Sequence, residues 1–377
     1  MKIPALQKPN SIALFVGRED VLNKLQKIFI NYADSKLMSR RSCLLGAGGI
    51  GKTQICLKFI EEMSDRLSHV FWVDASSEES IIMSLRGISG ISAAQAACLD
   101  GSVESVLQWM SDIQEEWLIV FDNAVPPVHV VEKFIPSGNR GNILITSRNQ
   151  SMGRVVPFEN IIEIGEMEEA DAITLLLKAS HLDASAEHIE VAKDIVTELG
   201  YMPLAVNQAG AYIEAGRCSI HNYLQQFSLH HQTFMSDATI GGGSNFDQTV
   251  YGTWDLSFKE IKKRASGQSS SGDAQAAHAA ILILQICAFY HHSNISKDIF
   301  QSAAEESRDY KVDSEVAEKL PLAMSLLDRT LLALDNNGHW DEFIFEQGIA
   351  VLLSFSLIKR DQSSEMFSVH PLVHCWI

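Results

Sequence analysis

Four short runs in the first third of the chain, residues 42–45, 70–74, 117–122 and 142–147, are apolar throughout rather than alternating. Val, Ile, Leu and aromatics dominate them, and each follows a stretch with helical spacing or turn residues. That pattern predicts strands of a parallel sheet covered by helices on both faces. A helix is predicted from Glu19 to about Tyr32, led in by Leu14-Phe15-Val16-Gly17-Arg18. From about Gly165 the apolar period becomes that of helices. Ile173, Leu176 and Leu177 share a face of one, over 167–179, and Ile189, Ala192, Ile195, Val196 and Leu199 share a face of the next. Gly200 closes that second helix, and Pro203 stands where another begins. Residues 241–244 and 266–272, rich in Gly and Ser, read as loops. Further helices follow, then the apolar segment 349–358, a turn at 361–364 and the run 366–369. No internal repeat of solenoid length is present.

Length and charge narrow the class. At about 150 residues per domain, 377 residues predict two or three domains. No apolar run approaches the roughly 18 residues of a membrane span. Lys8-Pro9-Asn10 precedes any apolar stretch, which is not the layout of a secretory signal. The six cysteines are scattered without metal-ligand spacing, so they are expected to be buried, reduced thiols of a cytoplasmic protein. A net charge of −17 opposes a phosphate backbone, and the basic clusters are short, as at Lys262-Lys263-Arg264. The chain stops at Trp376-Ile377 with no polar tail, the pattern expected of a piece of a longer protein.

The sharpest chemical signal is Gly46-Ala47-Gly48-Gly49-Ile50-Gly51-Lys52-Thr53, which satisfies G-x-x-x-x-G-K-[ST] at every fixed position. It follows an apolar strand and precedes a helix with Ile55, Phe59, Ile60 and Met63 on one face. Glycines let the backbone curl so that N–H groups point inward at phosphate oxygens, and the helix N-terminus adds partial positive charge. Lys52 is placed to reach the β- and γ-phosphates and Thr53 to hold Mg²⁺. A metal-side carboxylate is required at the end of a neighbouring strand. Leu118-Ile119-Val120-Phe121-Asp122 supplies Asp122. The next residue is Asn123, whose amide takes up no proton at neutral pH, so turnover is expected to be slow. Arg148 ends the strand Ile143-Leu144-Ile145-Thr146-Ser147, on the side where ligands bind in open sheets, and could read a γ-phosphate.

These residues, taken with Phe15-Val16-Gly17-Arg18-Glu19-Asp20, Gly200-Tyr201-Met202-Pro203-Leu204-Ala205 and Phe367-Ser368-Val369-His370-Pro371-Leu372-Val373-His374, resemble in order the NB-ARC nucleotide switches. Those belong to the STAND class of P-loop NTPases, which includes plant immune receptors, apoptosome scaffolds and fungal NOD-like receptors. Thr253-Trp254-Asp255-Leu256-Ser257-Phe258 and Ser356-Leu357-Ile358-Lys359-Arg360 look most like the fungal members. The resemblance implies an α/β fold with a P-loop parallel sheet (12–164), a helical domain (165–235) and a winged-helix domain (245–377). It implies ATP or ADP as ligand, with Mg²⁺ held by Thr53 and Asp122. The nucleotide-binding set it implies is Val16, Arg18, Gly48, Gly49, Ile50, Gly51, Lys52, Thr53, Gln54, Pro203 and His370. Val16 and Arg18 hold the adenosine, Pro203 packs on the adenine, and His370 contacts the β-phosphate of ADP. Lys52, Asp122 and Arg148 are the residues implied in hydrolysis. An effector domain before this region and a repeat array after it are implied outside the chain. Pro371 departs from the pattern, standing where plant receptors have an aspartate, and Val125 replaces an acid found in fungal members.

Three functions from different classes follow. The first is an innate-immune type of signalling switch, closed with ADP and open and self-associating with ATP, and a slow ATPase at most. The second is an energy-coupled AAA+-like ATPase, which steady turnover would favour. The third is a winged-helix DNA-binding regulator, which the net charge opposes. A GTPase lacks support because no Asn-Lys-x-Asp appears: Asn23-Lys24 is followed by Leu25-Gln26. His370 and His374 have the spacing of a helical zinc site, but Pro371 removes the expected glutamate neighbour.

Overall fold

A computed structural model describes residues 14–30, 40–137, 141–236, 250–266, 271–306, 331–335, 339–360 and 366–377. They fall into two compact units, the first ending at His230 and the second comprising His231–Ser236 and Val250–Ile377. In the first unit, α1 (Glu19–Ile30) precedes β1 (Arg40–Leu45), α2 (Lys52–Glu62), β2 (His69–Asp74), α3 (Glu78–Ile88), α4 (Ser92–Ala96) and α5 (Val103–Asp112). Then come β3 (Trp117–Asp122), the single turn α6 (Val128–Val131), β4 (Gly141–Ser147) and β5 (Ile161–Glu163). All pairings are parallel, in the order β2-β3-β4-β1-β5.

Alternation of side chains across this sheet builds two cores. Leu44, Trp72, Leu118, Val120 and Leu144 pack with Leu25 and Phe29 of α1 and with Ile55 and Phe59 of α2. Cys43, Leu45, Phe71, Val73, Ile119, Phe121, Ile143 and Ile145 pack on the opposite side with Ile81 and Leu85 of α3 and Val106 and Met110 of α5. Both faces are dry, which is why the strands read as unbroken apolar runs. The four predicted strands lie inside the observed ones, which start up to two residues earlier. β5 was not anticipated; three residues on the sheet edge, paired as Cys43↔Ile161 to Leu45↔Glu163, carry too little pattern to read.

The first unit continues with α7 (Glu169–Ala179), α8 (Ala186–Glu198), α9 (Pro203–Glu214) and the part of α10 (Tyr223–Ser236) up to His230. α8 opens on Ser185, whose hydroxyl accepts the His188 N–H, a normal N-cap. It ends with Gly200 at φ +58°, and Pro203 is the first residue of α9. α9 crosses α7 closely because Gly210 has no side chain: a Cβ there would lie 2.4 Å from the Ala179 Cβ. α10 leaves helical geometry at His230 (φ −137°, ψ 27°), where the two units divide.

The second unit contains α11 (Val250–Ser266), α12 (Ser271–Cys287), β6 (Ile295–Ser296), α13 (Asp298–Glu306), α14 (Phe343–Ser354), β7 (Ile358–Arg360), β8 (Met366–Val369) and α15 (Pro371–Trp376). Its strands are antiparallel in the order β6-β8-β7. α12 and α14 meet where Gly348 faces Ala279 and Ala280. The expected loop over 266–272 is shorter in the structure: Ser266 ends α11 and Ser271 and Gly272 open α12. The apolar segment 349–358 divides between α14 and the start of β7, broken at Ser356 with φ +53°. The expected loop at 241–244, the turn at 361–364 and residues 31–32 of the first helix lie outside the described residues. None of the six cysteines is in a disulfide, but the expectation that all are buried does not hold: Cys98 and Cys375 are exposed and Cys218 is half-buried. No helix among the described residues is long and apolar enough to cross a membrane.

Candidate functional site

The strand order decides what can meet at the carboxyl edge of the sheet. β1, which feeds the glycine loop, and β3, which ends in Asp122, are separated by β4. Groups from β4 therefore reach between them. Leu44, Val120 and Leu144 all face α2, so the residues two further along, Gly46, Asp122 and Thr146, emerge on that same face. The hydrogen bonds match this placement. Thr53 Oγ1 donates to Asp122 Oδ1 at 2.9 Å. Thr146 Oγ1 donates to the same oxygen at 2.7 Å and accepts the Asn123 N–H at 2.8 Å. Asn123 sits at φ +58°, a left-handed conformation that asparagine tolerates. Burial pushes the Asp122 carboxyl above its ordinary range, while the bonds from Thr146 and Thr53 and the charge of Lys52 pull it back.

The loop itself is built by backbone geometry that other residues adopt at a cost. Gly46, Gly49 and Gly51 have φ of +156°, +81° and +95°. A Cβ on Gly46 would lie 2.5 Å from the Ile164 carbonyl oxygen. The N–H groups of Gly48 and Gly49 make no hydrogen bond with another described residue, which is the condition for an anion cradle. Ile50 is a core side chain, 2% exposed, so only its backbone is available to a ligand. Gln54 is half-buried in the first turn of α2. Lys52 is 9% exposed and its Nζ donates to the loop's own carbonyls, Gly46 O at 2.8 Å and Ala47 O at 2.9 Å. Burial first, and then the nearby positive charge of Arg148, bring the Lys52 ammonium down to about 7, against the opposing pull of Asp122. Arg148 is itself lowered from its ordinary value by burial. Two desolvated cations beside one carboxylate leave the site short of negative charge, as a polyphosphate site should be.

The donor set fits the implied ligands. A hydroxyl and a carboxylate, all oxygen, suit a hard divalent ion such as Mg²⁺. Glycine N–H groups without a partner among the described residues, a helix N-terminus, the buried Lys52 and the half-buried Arg148 suit di- or triphosphate.

The flanking residues are placed as follows. Val16 is half-buried in the segment before α1. Arg18, at φ +70°, turns its guanidinium onto the backbone that leads into α7, donating to Gly165 O at 2.8 Å and Glu166 O at 3.1 Å. Its side chain thus tethers the helical region. The neighbouring Gly17 lets α7 approach, because a Cβ there would lie 2.1 Å from the Asp171 carboxylate. Pro203 opens α9, and the next residue bonds the phosphate loop directly: the Leu204 N–H donates to Gly49 O at 3.2 Å. A Cβ on Gly49 would press on the Leu204 side chain at 3.2 Å. His370 belongs to the second unit, where its Nδ1 accepts the Leu372 N–H at 3.2 Å and caps α15. With Nδ1 accepting, the ring proton of the neutral imidazole is on Nε2. Its ring centroid is 6.2 Å from that of Trp254. His374, one turn on, bonds Tyr290 O through Nε2 at 2.8 Å. Sequence reading missed Thr146 and Leu204. The signal for Thr146 was a hydroxyl residue, two before Arg148, on the face that Asp122 shares.

No protein-family model matches the chain. It is 26% identical over 287 residues to a nucleotide-binding leucine-rich repeat (NLR)-like protein of Hyaloscypha variabilis, a match covering 66% of this chain and 28% of that protein. It is 22% identical over 300 residues to the regulatory protein AfsR of Streptomyces coelicolor, covering 74% of this chain and 29% of that one. The chain therefore spans less than a third of the length of either relative. Among solved structures, a Walker-type ATPase of Pyrococcus abyssi matches with a TM-score of 0.57 at 13% identity, over 98% of both chains. In fold the chain has the parallel sheet and following helices of a Walker-type ATPase, and in sequence it resembles an NLR-like protein.

Proposed function

We propose that the chain is the adenine-nucleotide switch of a longer signalling protein of the NLR-like kind. ADP holds it closed, and exchange for ATP opens it and lets it self-associate. The observation that carries this reading is the bond from the Leu204 N–H to Gly49 O. It ties the phosphate loop to the N-terminus of α9, so a ligand that reshapes the loop acts on the helical region as well. A switch needs such a link, because a ligand shifts a conformational equilibrium only by its differential affinity for the two states.

The parts are divided at 12–164, 165–235 and 245–377, the last as a winged-helix domain. Gly48, Gly49, Ile50 and Gly51 hold the phosphates through backbone N–H groups, with Gln54 at the helix start. Lys52 leaves the carbonyls of Gly46 and Ala47 for the β- and γ-phosphates. Thr53 and Asp122 part to hold Mg²⁺, which neutralises phosphate charge when bound. Arg148 answers to the γ-phosphate, and Val16 and Pro203 enclose the adenine. Arg18 acts here through the Gly165 and Glu166 carbonyls, and His370 reads the β-phosphate through Nε2–H. Effector and repeat domains, and an innate-immune output, belong to the rest of the protein.

Heat-denaturing the purified protein and identifying released nucleotide by chromatography tests this reading. About one adenine nucleotide per chain, mostly ADP, is expected from wild type and none from Lys52→Ala. A wild-type protein that carries no nucleotide and binds neither ADP nor ATP refutes it.

A further inference from the structure

Asn123 leaves the site without a proton acceptor beside Asp122, yet the sheet brings a second carboxylate to the same edge. β2 pairs with β3 in parallel with Asp74 directly opposite Asp122. Adjacent strands lie about 4.8 Å apart. Trp72 and Val120 both face α2, so Asp74 and Asp122, each two residues on, share the face that carries the phosphate loop. The backbone there is fixed. The Asp74 N–H donates to Ser84 Oγ at 3.2 Å, the Ala75 N–H to Asp122 O at 2.8 Å and the Val125 N–H to Ala75 O at 3.2 Å. One carboxylate oxygen, Oδ1, accepts the Ser76 N–H at 3.0 Å. The other, Oδ2, has no protein partner among the described residues, and the side chain is exposed. Its charge is near enough to add to the rise of the Asp122 carboxyl.

We infer that Asp74 is the group that orients the attacking water when this site hydrolyses ATP, the role its own sequence denies to Asn123. The inference rests on the nucleotide reading above. A bond forms from the water oxygen to the γ-phosphorus as the bond from that phosphorus to the β–γ bridging oxygen breaks. The bridging oxygen leaves with the electron pair on ADP, and the water's proton passes through the Asp74 carboxylate to solvent. Asp122 stays with Thr53 on the metal side. The two acids thus divide metal holding and water orientation between adjacent strands. Asp74 can be reached without disturbing the loop, because no residue of 46–53 hydrogen-bonds to it.

The test compares wild type with Asp74→Asn, which keeps an oxygen acceptor for the Ser76 N–H and removes the charge. Affinities for ADP, for ADP with aluminium fluoride and for Mg²⁺ in the presence of ADP are measured by calorimetry, beside single-turnover phosphate release. A positioned acid–base group is worth about a hundredfold or more, and only interactions stronger in the transition state contribute to rate. The expected result is unchanged affinity for ADP and Mg²⁺, aluminium fluoride complex weakened by about tenfold or more, and phosphate release slowed at least as much. Unchanged aluminium fluoride affinity overturns the inference. So does a weakened Mg²⁺ affinity, which would make Asp74 a metal ligand, and so does a wild type that binds nucleotide but never releases phosphate. A wild type that binds no ADP removes the nucleotide reading itself, so the two failures are distinct. Melting temperatures of both proteins verify that the variant is folded.

Discussion

Lys52 is the residue whose removal should change the pH dependence of stability. Its ammonium is enclosed by the loop, 9% exposed, and lies near 7 in the folded protein against 10.5 when unfolded. Between those values the unfolded chain holds a proton that the folded chain has lost, so stability rises with pH through that window. The full span is 10.5 less 7, or 3.5 pH units, and at about 1.4 kcal/mol for each it amounts to roughly 5 kcal/mol. Allowing for partial protonation near pH 7, the part between pH 7 and pH 9 is about 2 kcal/mol. Lys52→Met keeps the stem's apolar bulk and deletes the titrating group. It also leaves the Gly46 and Ala47 carbonyls without their donor, at about 1–3 kcal/mol. The net change at any one pH is therefore a difference of similar terms, and the slope is the diagnostic quantity. Urea unfolding of nucleotide-free wild type and Lys52→Met at pH 7, 8 and 9 should show wild type gaining about 2 kcal/mol more than the variant over that range. Groups that titrate in both proteins, the buried thiols among them, cancel in the comparison. Parallel stability curves for the two proteins would refute the argument that the loop holds a desolvated, weakened ammonium.

Phosphate should restore the lost proton, so ADP binding at pH 8 should take up close to one proton per site; calorimetry in buffers of different ionisation heat reads this directly, and a buffer-independent heat contradicts it. Gly141→Ala should lower the melting temperature sharply without touching the site, because its Cβ would lie 2.1 Å from the buried Trp117 ring; overpacking of this kind typically costs about 1–3 kcal/mol, and an unchanged melting curve would show that the ring can move. His370→Ala should lose the cap on α15, about 1 kcal/mol, whereas His370→Asn should keep it. If Nε2–H serves the β-phosphate, a bond worth roughly 1.5–3 kcal/mol, both variants should release ADP about 10- to 150-fold faster, while an Asn variant with wild-type exchange would confine His370 to capping.

The sheet was legible because both of its faces are covered. Residues such as Trp72 and Phe71 point to opposite cores, so no polar alternation interrupts the strands. The helices after Gly165 were legible for the opposite reason: α8 buries Ala192, Ile195 and Val196 and leaves most of its other residues exposed, and that period of 3.6 survives in the sequence. What escaped was either too short or set by pairing alone. β5 exists because β1 offers an open edge to Ile161, Ile162 and Glu163, and three residues fall below any periodic signal. The strand order escaped for the same reason, since nothing in four similar apolar runs says that β4 lies between β1 and β3.

That order is also what separates the two kinds of site residue. Gly46 to Thr53 are neighbours in the chain, and their chemistry follows from spacing, so sequence suffices. Thr146 and Asp74 act only because strands distant in sequence lie side by side. Thr146 is 24 residues from the oxygen it bonds, and Asp74 meets Asp122 through a register that no local pattern encodes. A strand-end threonine and a strand-end aspartate are each commonplace. Their significance comes from the inserted β4, which holds Thr146 between the loop and the metal-side acid, and from β2, which adds a carboxylate where β3 offers Asn123. If Asp74 does orient water, the base has moved one strand across the sheet rather than disappeared. The slow turnover expected from Asn123 then reflects where that base stands, and Asp74→Asn beside Asp122→Asn separates the two acids: the first should slow phosphate release at constant Mg²⁺ affinity, the second should weaken Mg²⁺ itself. Equal loss of Mg²⁺ affinity in both variants would mean that the two carboxylates form one metal site and that the division of roles argued from the strand register is wrong.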